Sequence, residues 1–106
     1  MPENYTYIAD LQDKIEKISE DSIISRTLFS DDNIKGVLFG FDAGQELSEH
    51  TAATPAIIHI LSGKGRLTLG EDIMDAKPGT WVHMQPHLAH SLLAETPLTM
   101  LLLLIR

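Results

Sequence analysis

Two of the five histidines each follow a glycine in a short stretch between predicted strands, and their side chains could do chemistry. His50 follows Gly44 with five residues between them, and His90 ends the run that begins at Gly79. Imidazole nitrogens bind iron, nickel, copper or zinc, and an unperturbed imidazole accepts a proton near neutral pH. Either histidine could therefore act as a metal ligand, as a general base or as a polar contact of a small molecule.

The other three histidines carry weaker signals. His59 and His83 fall in apolar runs that predict strands, where a histidine is more often packed or half exposed than a ligand. If residue 56 faces the interior, strand alternation turns His59 to the opposite face, while the side of His83 stays open. His87 lies in a turn, and a turn residue can shift, so it is the first choice for an added metal ligand.

Short apolar runs separated by turn residues predict the rest of the chain to be almost wholly β. From Asp10 to Glu20, apolar residues at helical spacing among charges indicate a short helix or an irregular segment. Strands that arrive every eight to twelve residues are typical of a sandwich or barrel. The predicted strands are Ile23–Phe29, Ile34–Phe41, Ala56–Leu61, Arg66–Leu69, one around Ile73, Trp81–Met84, Leu92–Ala94 and Leu98–Ile105.

Composition narrows the possible partners and locations. A chain of 106 residues suits one compact domain. A net charge of -7 with no basic run disfavours nucleic acid and anionic membranes. The apolar run Leu98–Ile105 is shorter than a membrane span, the N-terminus lacks the pattern of a secretory signal, and no cysteine is present. We expect a cytoplasmic protein that binds neither nucleic acid nor membranes.

The spacing of the glycines and histidines resembles the paired motifs of the cupins, and in particular of small single-domain cupins of the cupin 2 conserved-barrel, RmlC-like type. Gly44, His50, Gly63, Gly79 and His90 all fall in register with those motifs. The resemblance implies a double-stranded β-helix, a jelly-roll barrel, over residues 34–106. Residues 1–33 would add an N-terminal segment and edge strands to the same domain.

The departures from the cupin pattern concern the metal. In that family a second histidine and a glutamate of the first motif complete a set of metal ligands, but this chain has Ala52 and Ala56 there. A catalytic metal normally takes three protein ligands, so His50 and His90 would need a third, for which His87 is the candidate. The cofactor is therefore expected to be none or a divalent transition metal, namely iron, nickel, manganese or zinc.

Three functions remain open, and the sequence does not decide whether the protein is an enzyme. The first is a small-molecule binding module with a weak or absent metal site, which the two alanines favour. The second is a metal-dependent enzyme resembling cupin dioxygenases. The third is a metal-free isomerase or epimerase with a histidine as base. The expected pocket residues are His50, Ala52, Ala56, Ile58, Met84 and His90.

A homodimer is also expected. The last predicted strand, Leu98–Ile105, and the first, Ile23–Phe29, are so apolar that a chain of this length must cover them. The resemblance points the same way, because many cupins pair through their N-terminal strands.

Overall fold

The computed structural model describes residues 4–15 and 17–106, and within this part of the chain nine strands form two sheets. Glu16, which falls in the predicted helical or irregular segment, and residues 1–3 lie outside the described residues. The strands are β1 (Ile23–Ser30), β2 (Ile34–Phe41), β3 (Glu46–His50), β4 (Ala56–Ser62), β5 (Gly65–Leu69), β6 (Asp72–Ala76), β7 (Trp81–Met84), β8 (His90–Ala94) and β9 (Leu98–Ile105).

The two antiparallel sheets face each other. One has the order β1-β2-β9-β4-β7 and the other β3-β8-β5-β6. Short connections at one end lead from β2 to β3, from β4 to β5, from β6 to β7 and from β8 to β9. Because each short connection joins a strand to one in the other sheet, β2 faces β3 and β9 faces β8 across the core. This arrangement is the jelly roll expected from the sequence, and that prediction is confirmed.

The core lies between the sheets and follows from strand alternation. In β8, His90, Leu92 and Ala94 are buried, while the residues between them are only partly so. The inward residues of both sheets form one apolar cluster that fills the space between the sheets. Its fully buried members include Phe41, Ile58, Ile60, Leu67, Met84, Leu92, Leu98 and Met100.

The apolar run of β9 is explained by its position. β9 lies between β2 and β4, at the centre of the five-stranded sheet. Leu98 and Met100 face the core and are fully buried, whereas Leu101 and Leu103 lie on the outer side and are partly buried. The core thus explains the inner side chains of this apolar run, while its outer leucines keep part of their surface exposed.

The N-terminal segment is irregular except for one short 3-10 helix, Leu11–Lys14, whose first turn is capped by the Asp10 carboxylate. Beyond it, Ile15 and Ile18 pack over the outer side of β2. A Cβ atom on Gly40 would lie 2.9 Å from Cγ1 of Ile18, so a larger residue there would displace this side chain. Among the described residues, no helix has the length and apolarity that crossing a membrane requires.

Candidate functional site

The candidate site lies at the end of the sandwich where the β3–β4 and β7–β8 connections meet. The His87 amide donates to the Ala52 carbonyl at 2.7 Å and ties these two connections together. The Ile105 amide donates to the Pro55 carbonyl at 2.9 Å and holds the end of β9 against the same place. We call this end the mouth. His50, Ala52 and the buried start of β8 all lie there.

His50 and His90 meet across neighbouring strands at the mouth. They are directly opposite each other in the pairing of β3 with β8. Opposed residues of an antiparallel pair project to the same face, and His90 lies on the inner face with Leu92. The ring centroids are 4.2 Å apart, and the ring planes are tilted by 57°. The structure thus brings together the two histidines that the sequence predicted to share a site.

A β-bulge in β3 produces this pairing. Leu47 faces Leu92, so regular pairing would place Glu49 opposite His90. The register instead shifts by one residue between Leu47 and His50, which brings His50 onto the inner side. Leu47 packs against the core on that same side. The bulge therefore decides that an imidazole, and not a carboxylate, is the neighbour of His90.

Backbone carbonyls fix the orientation of both rings. Nδ1 of His50 lies 2.8 Å from the Ser48 carbonyl oxygen, and Nδ1 of His90 lies 2.9 Å from that of Leu88. A carbonyl only accepts, so each Nδ1 carries the hydrogen and donates it. In the neutral ring Nε2 is then left with its lone pair. Both histidines consequently offer Nε2 as an acceptor for a hydrogen-bond donor or as a ligand for a cation.

The two rings differ in their contact with water. His90 is buried, with 5% of its surface exposed, whereas His50 is exposed. Burial, the largest cause, lowers the pKa of His90 below its ordinary value; the hydrogen bond to Leu88 opposes this, and the nearby His50 adds to the lowering. His90 is thereby held neutral near physiological pH.

The cupin domain model matches residues 37–105. The chain belongs to the cupin domain family. Among curated protein sequences, none matches the chain.

Solved structures agree with the cupin assignment. A conserved Streptococcus pyogenes protein of unknown function is 27% identical, with a TM-score of 0.85 over 96% of this chain and 89% of that one. A cupin superfamily protein from Desulfitobacterium hafniense is 23% identical, with a TM-score of 0.86 over 99% of this chain and 94% of that one. Salicylate 1,2-dioxygenase from Pseudoaminobacter salicylatoxidans is 12% identical, with a TM-score of 0.75 over 90% of this chain and 28% of that one. The two likenesses below 25% identity show the shared fold alone.

The residues of this cupin do not fit a metal held by three protein ligands. Ala52 and Ala56 supply no donor atom at the positions where the family has its further ligands. Within residues 4–15 and 17–106, no three His, Cys, Asp or Glu side chains gather as metal ligands. His87 is exposed in its turn with a φ of 70°, and the structure does not group it with His50 and His90. Its recruitment as a third ligand stays a prediction.

The expected pocket lining is present, but it is filled. Ala56, Ile58 and Met84 are each only 2% exposed, and Ala56 lies opposite Met84 in the sheet. These side chains belong to the packed core, so the small size of the alanines leaves no enclosed chamber lined by the expected residues. Four clefts of about 260 to 430 Å³ in the described part of the chain lie on other surfaces. A ligand of the histidine pair would therefore sit at the mouth.

The remaining strand histidines lie outside the site. β4 buries Ala56, Ile58 and Ile60 and leaves His59 on the outer face, as alternation predicts. His83 is exposed on the same outer face, opposite Ile57, which answers the question that the sequence left open. Neither histidine can reach the mouth through the packed sheet.

Sequence reasoning missed the backbone contacts of the site. The carbonyls of Ser48 and Leu88 orient the histidines, but backbone acceptors leave no signal in side-chain types.

Proposed function

We propose that this cupin binds a small organic molecule at the mouth through His50 and His90. The observation that carries the proposal is the contact between two imidazoles whose Nδ1 atoms are both bound to carbonyls. Two neighbouring Nε2 acceptors suit a ligand with hydroxyl or N–H donors. The ligand replaces water on His50, while the buried His90 supplies an acceptor with a fixed direction.

A metal-dependent reaction is the second candidate. It is supported by the likeness to a salicylate dioxygenase, and at 12% identity that likeness extends to the fold alone. With two protein nitrogens available, a cation at the mouth would need donor atoms from the ligand or from His87. The isomerase or epimerase alternative has weaker support, because it calls for a second acid–base side chain, such as a tyrosine, near the histidines. Both tyrosines, Tyr5 and Tyr7, lie on the N-terminal segment and are 75% and 77% exposed.

We also propose that the protein forms a homodimer through the outer side of the five-stranded sheet. The N-terminal segment packs over β2 on that side. Farther across the sheet, Leu101 and Leu103 are partly buried, and the Trp81 side chain is 59% exposed. An exposed tryptophan on the same face as two partly buried leucines is typical of a surface that another protein covers.

The binding proposal can be tested with a set of fragments at millimolar concentration, each carboxylic acid being matched by its primary amide. Long-range proton–nitrogen NMR would follow the ring nitrogens of all five histidines in protein without an affinity tag. We expect at least one fragment to shift Nε2 of His50 and His90 together. Replacing either residue with alanine should abolish binding, and His83→Ala should not change it. A fragment set that leaves both rings unperturbed would contradict the proposal.

A second titration separates the organic ligand from the metal. Zinc, nickel, manganese and ferrous iron are each added to the tag-free protein, to His50→Ala and to His90→Ala. We expect binding of these ions alone to be weak, because two imidazoles make an incomplete site. Tight binding by the unmutated protein that either variant loses would favour the metal-dependent candidate instead.

A further inference from the structure

A lysine stands at the rim of the mouth, on the sheet opposite the histidine pair. Lys35 is the second residue of β2 and lies directly opposite Leu104 in β9. Leu104 packs against the core, and opposed residues of an antiparallel pair share a face. The side chain of Lys35 therefore leaves the sheet on the inner side, and Lys35 is partly buried.

The topology places Lys35 and the histidine pair at the same end. β2 faces β3 across the core because a short connection joins Phe41 to Glu46 at the far end of both strands. Lys35 is at the beginning of β2, and His50 is the last residue of β3, so both lie away from that connection. The same reasoning places Leu104, near the end of β9, beside His90 at the start of β8.

The charge of Lys35 has no partner in the described part of the chain. Neither a hydrogen bond nor an ion pair of its ammonium group is found there. The nearby Arg106 differs, because its Nη1 donates to the Asp31 carbonyl oxygen at 2.7 Å and to Oγ of Ser30 at 3.2 Å. The Asp31 carboxylate accepts the amides of Asn33 and Ile34 and so serves its own hairpin. Lys35 is therefore a partly buried cation whose ammonium group is available to a ligand.

We propose that Lys35 recognises a carboxylate, so that the natural ligand is a small organic acid with a hydroxyl or N–H donor beside its acid group. The carboxylate contacts the ammonium group of Lys35, and the donor binds Nε2 of His50 or His90. This inference rests on the proposed function, because it names the class of molecule that the same site binds. It adds the group that distinguishes an acid from a neutral molecule of the same shape.

The expected gain is modest because the rim is open to water. A solvent-exposed ion pair contributes up to about 1 kcal/mol, which corresponds to about a fivefold change in affinity. The alternative role for Lys35 is structural: its methylene groups would cover Leu104 while the ammonium group stays in water. That role predicts no preference between an acid and its amide.

3-Hydroxybenzoate and 3-hydroxybenzamide are a suitable pair of probes, because both carry a hydroxyl that cannot donate to the group that differs in charge and so stays free for a histidine. We expect the unmutated protein to bind 3-hydroxybenzoate about fivefold more tightly than 3-hydroxybenzamide at low salt, and added salt to reduce this ratio. Lys35→Met should bind the two equally, and Lys35→Arg should keep the preference. Lys77→Met is the matched control, because Lys77 is exposed at the opposite end of the sandwich, and it should behave as the unmutated protein.

The outcomes separate this inference from the proposal on which it depends. If fragments reach His50 and His90 but no acid gains over its amide, Lys35 is structural and the inference is wrong, while the binding site stands. A preference that Lys35→Met retains would also overturn it. Should Lys35→Met fail to fold, Lys35→Gln and the salt dependence of the unmutated protein decide the question in the same way. If no fragment perturbs either ring, the proposed function itself fails.

Discussion

The inner pair, His50 and His90, and the outer histidines, His59 and His83, contrast two faces of one small sandwich. All four lie on strands, yet only the inner pair is in ring contact and bound to carbonyls through Nδ1. The outer histidines face Trp81 and Ile57 across β4 and β7. The difference shows that the face and the register of a strand determine what a histidine can do.

The largest expected effect concerns the packing under the inner pair. Leu92 follows His90 on the inner face and is 1% exposed, whereas Leu93 beside it faces outward and is only partly buried. Leu92→Ala should lower the free energy of unfolding by about 2–5 kcal/mol, because it removes buried methyl groups and leaves a cavity. Leu93→Ala should cost much less. Urea unfolding of both variants measures the difference, and equal losses would contradict the assignment of the two faces.

Dimerisation through the outer side of the five-stranded sheet should be detectable by its dependence on protein concentration. Trp81 is the only tryptophan, so its fluorescence reports directly on this surface. If the homodimer forms there, emission should shift to shorter wavelength as concentration rises, and Trp81→Ala should weaken dimerisation about tenfold or more. Light scattering gives the mass in parallel, with His83→Ala as a milder change on the same face. A monomer mass at micromolar concentration would refute the proposal.

A smaller effect follows from the burial of His90. Because burial lowers its pKa in the folded protein, the unfolded chain takes up this proton at a higher pH. The free energy of unfolding should keep the His90 contribution above about pH 6.5, the ordinary value for histidine, and lose it as the pH falls further. Urea unfolding across this range should show a shallower decline for His90→Gln than for the unmutated protein. A ring-nitrogen titration that finds the pKa of His90 at or above its ordinary value would contradict this.

Much of the fold could be predicted because its local signals agree with one another. The bounds of β2, β7 and β9 match the structure, since each strand is an apolar run ended by turn residues. The motif marked position 63 as one that needs glycine, and in the structure a Cβ there would overlap with the Pro97 carbonyl oxygen. These features depend on near neighbours in sequence, which a pattern can record.

The site was harder to predict because it depends on contacts between distant segments. The spacing brought His50 and His90 together correctly, but the bulge beside Glu49 has no sequence signal of its own. The alanines at positions 52 and 56 suggested room inside the barrel, and the structure fills that interior with side chains from both sheets. Whether removed side-chain volume becomes a chamber depends on how the rest of the core closes around it.

The bulge in β3 makes the chemistry of the mouth depend on the register of one strand. Deleting Ser48 would restore regular pairing between β3 and β8 while keeping Leu47 opposite Leu92 and His50 opposite His90. If the bulge were lost with the length of β3 unchanged, Glu49 would instead lie opposite His90. The one extra residue in β3 thus separates an imidazole pair from an imidazole beside a carboxylate, on an unchanged scaffold and with an unchanged set of side chains.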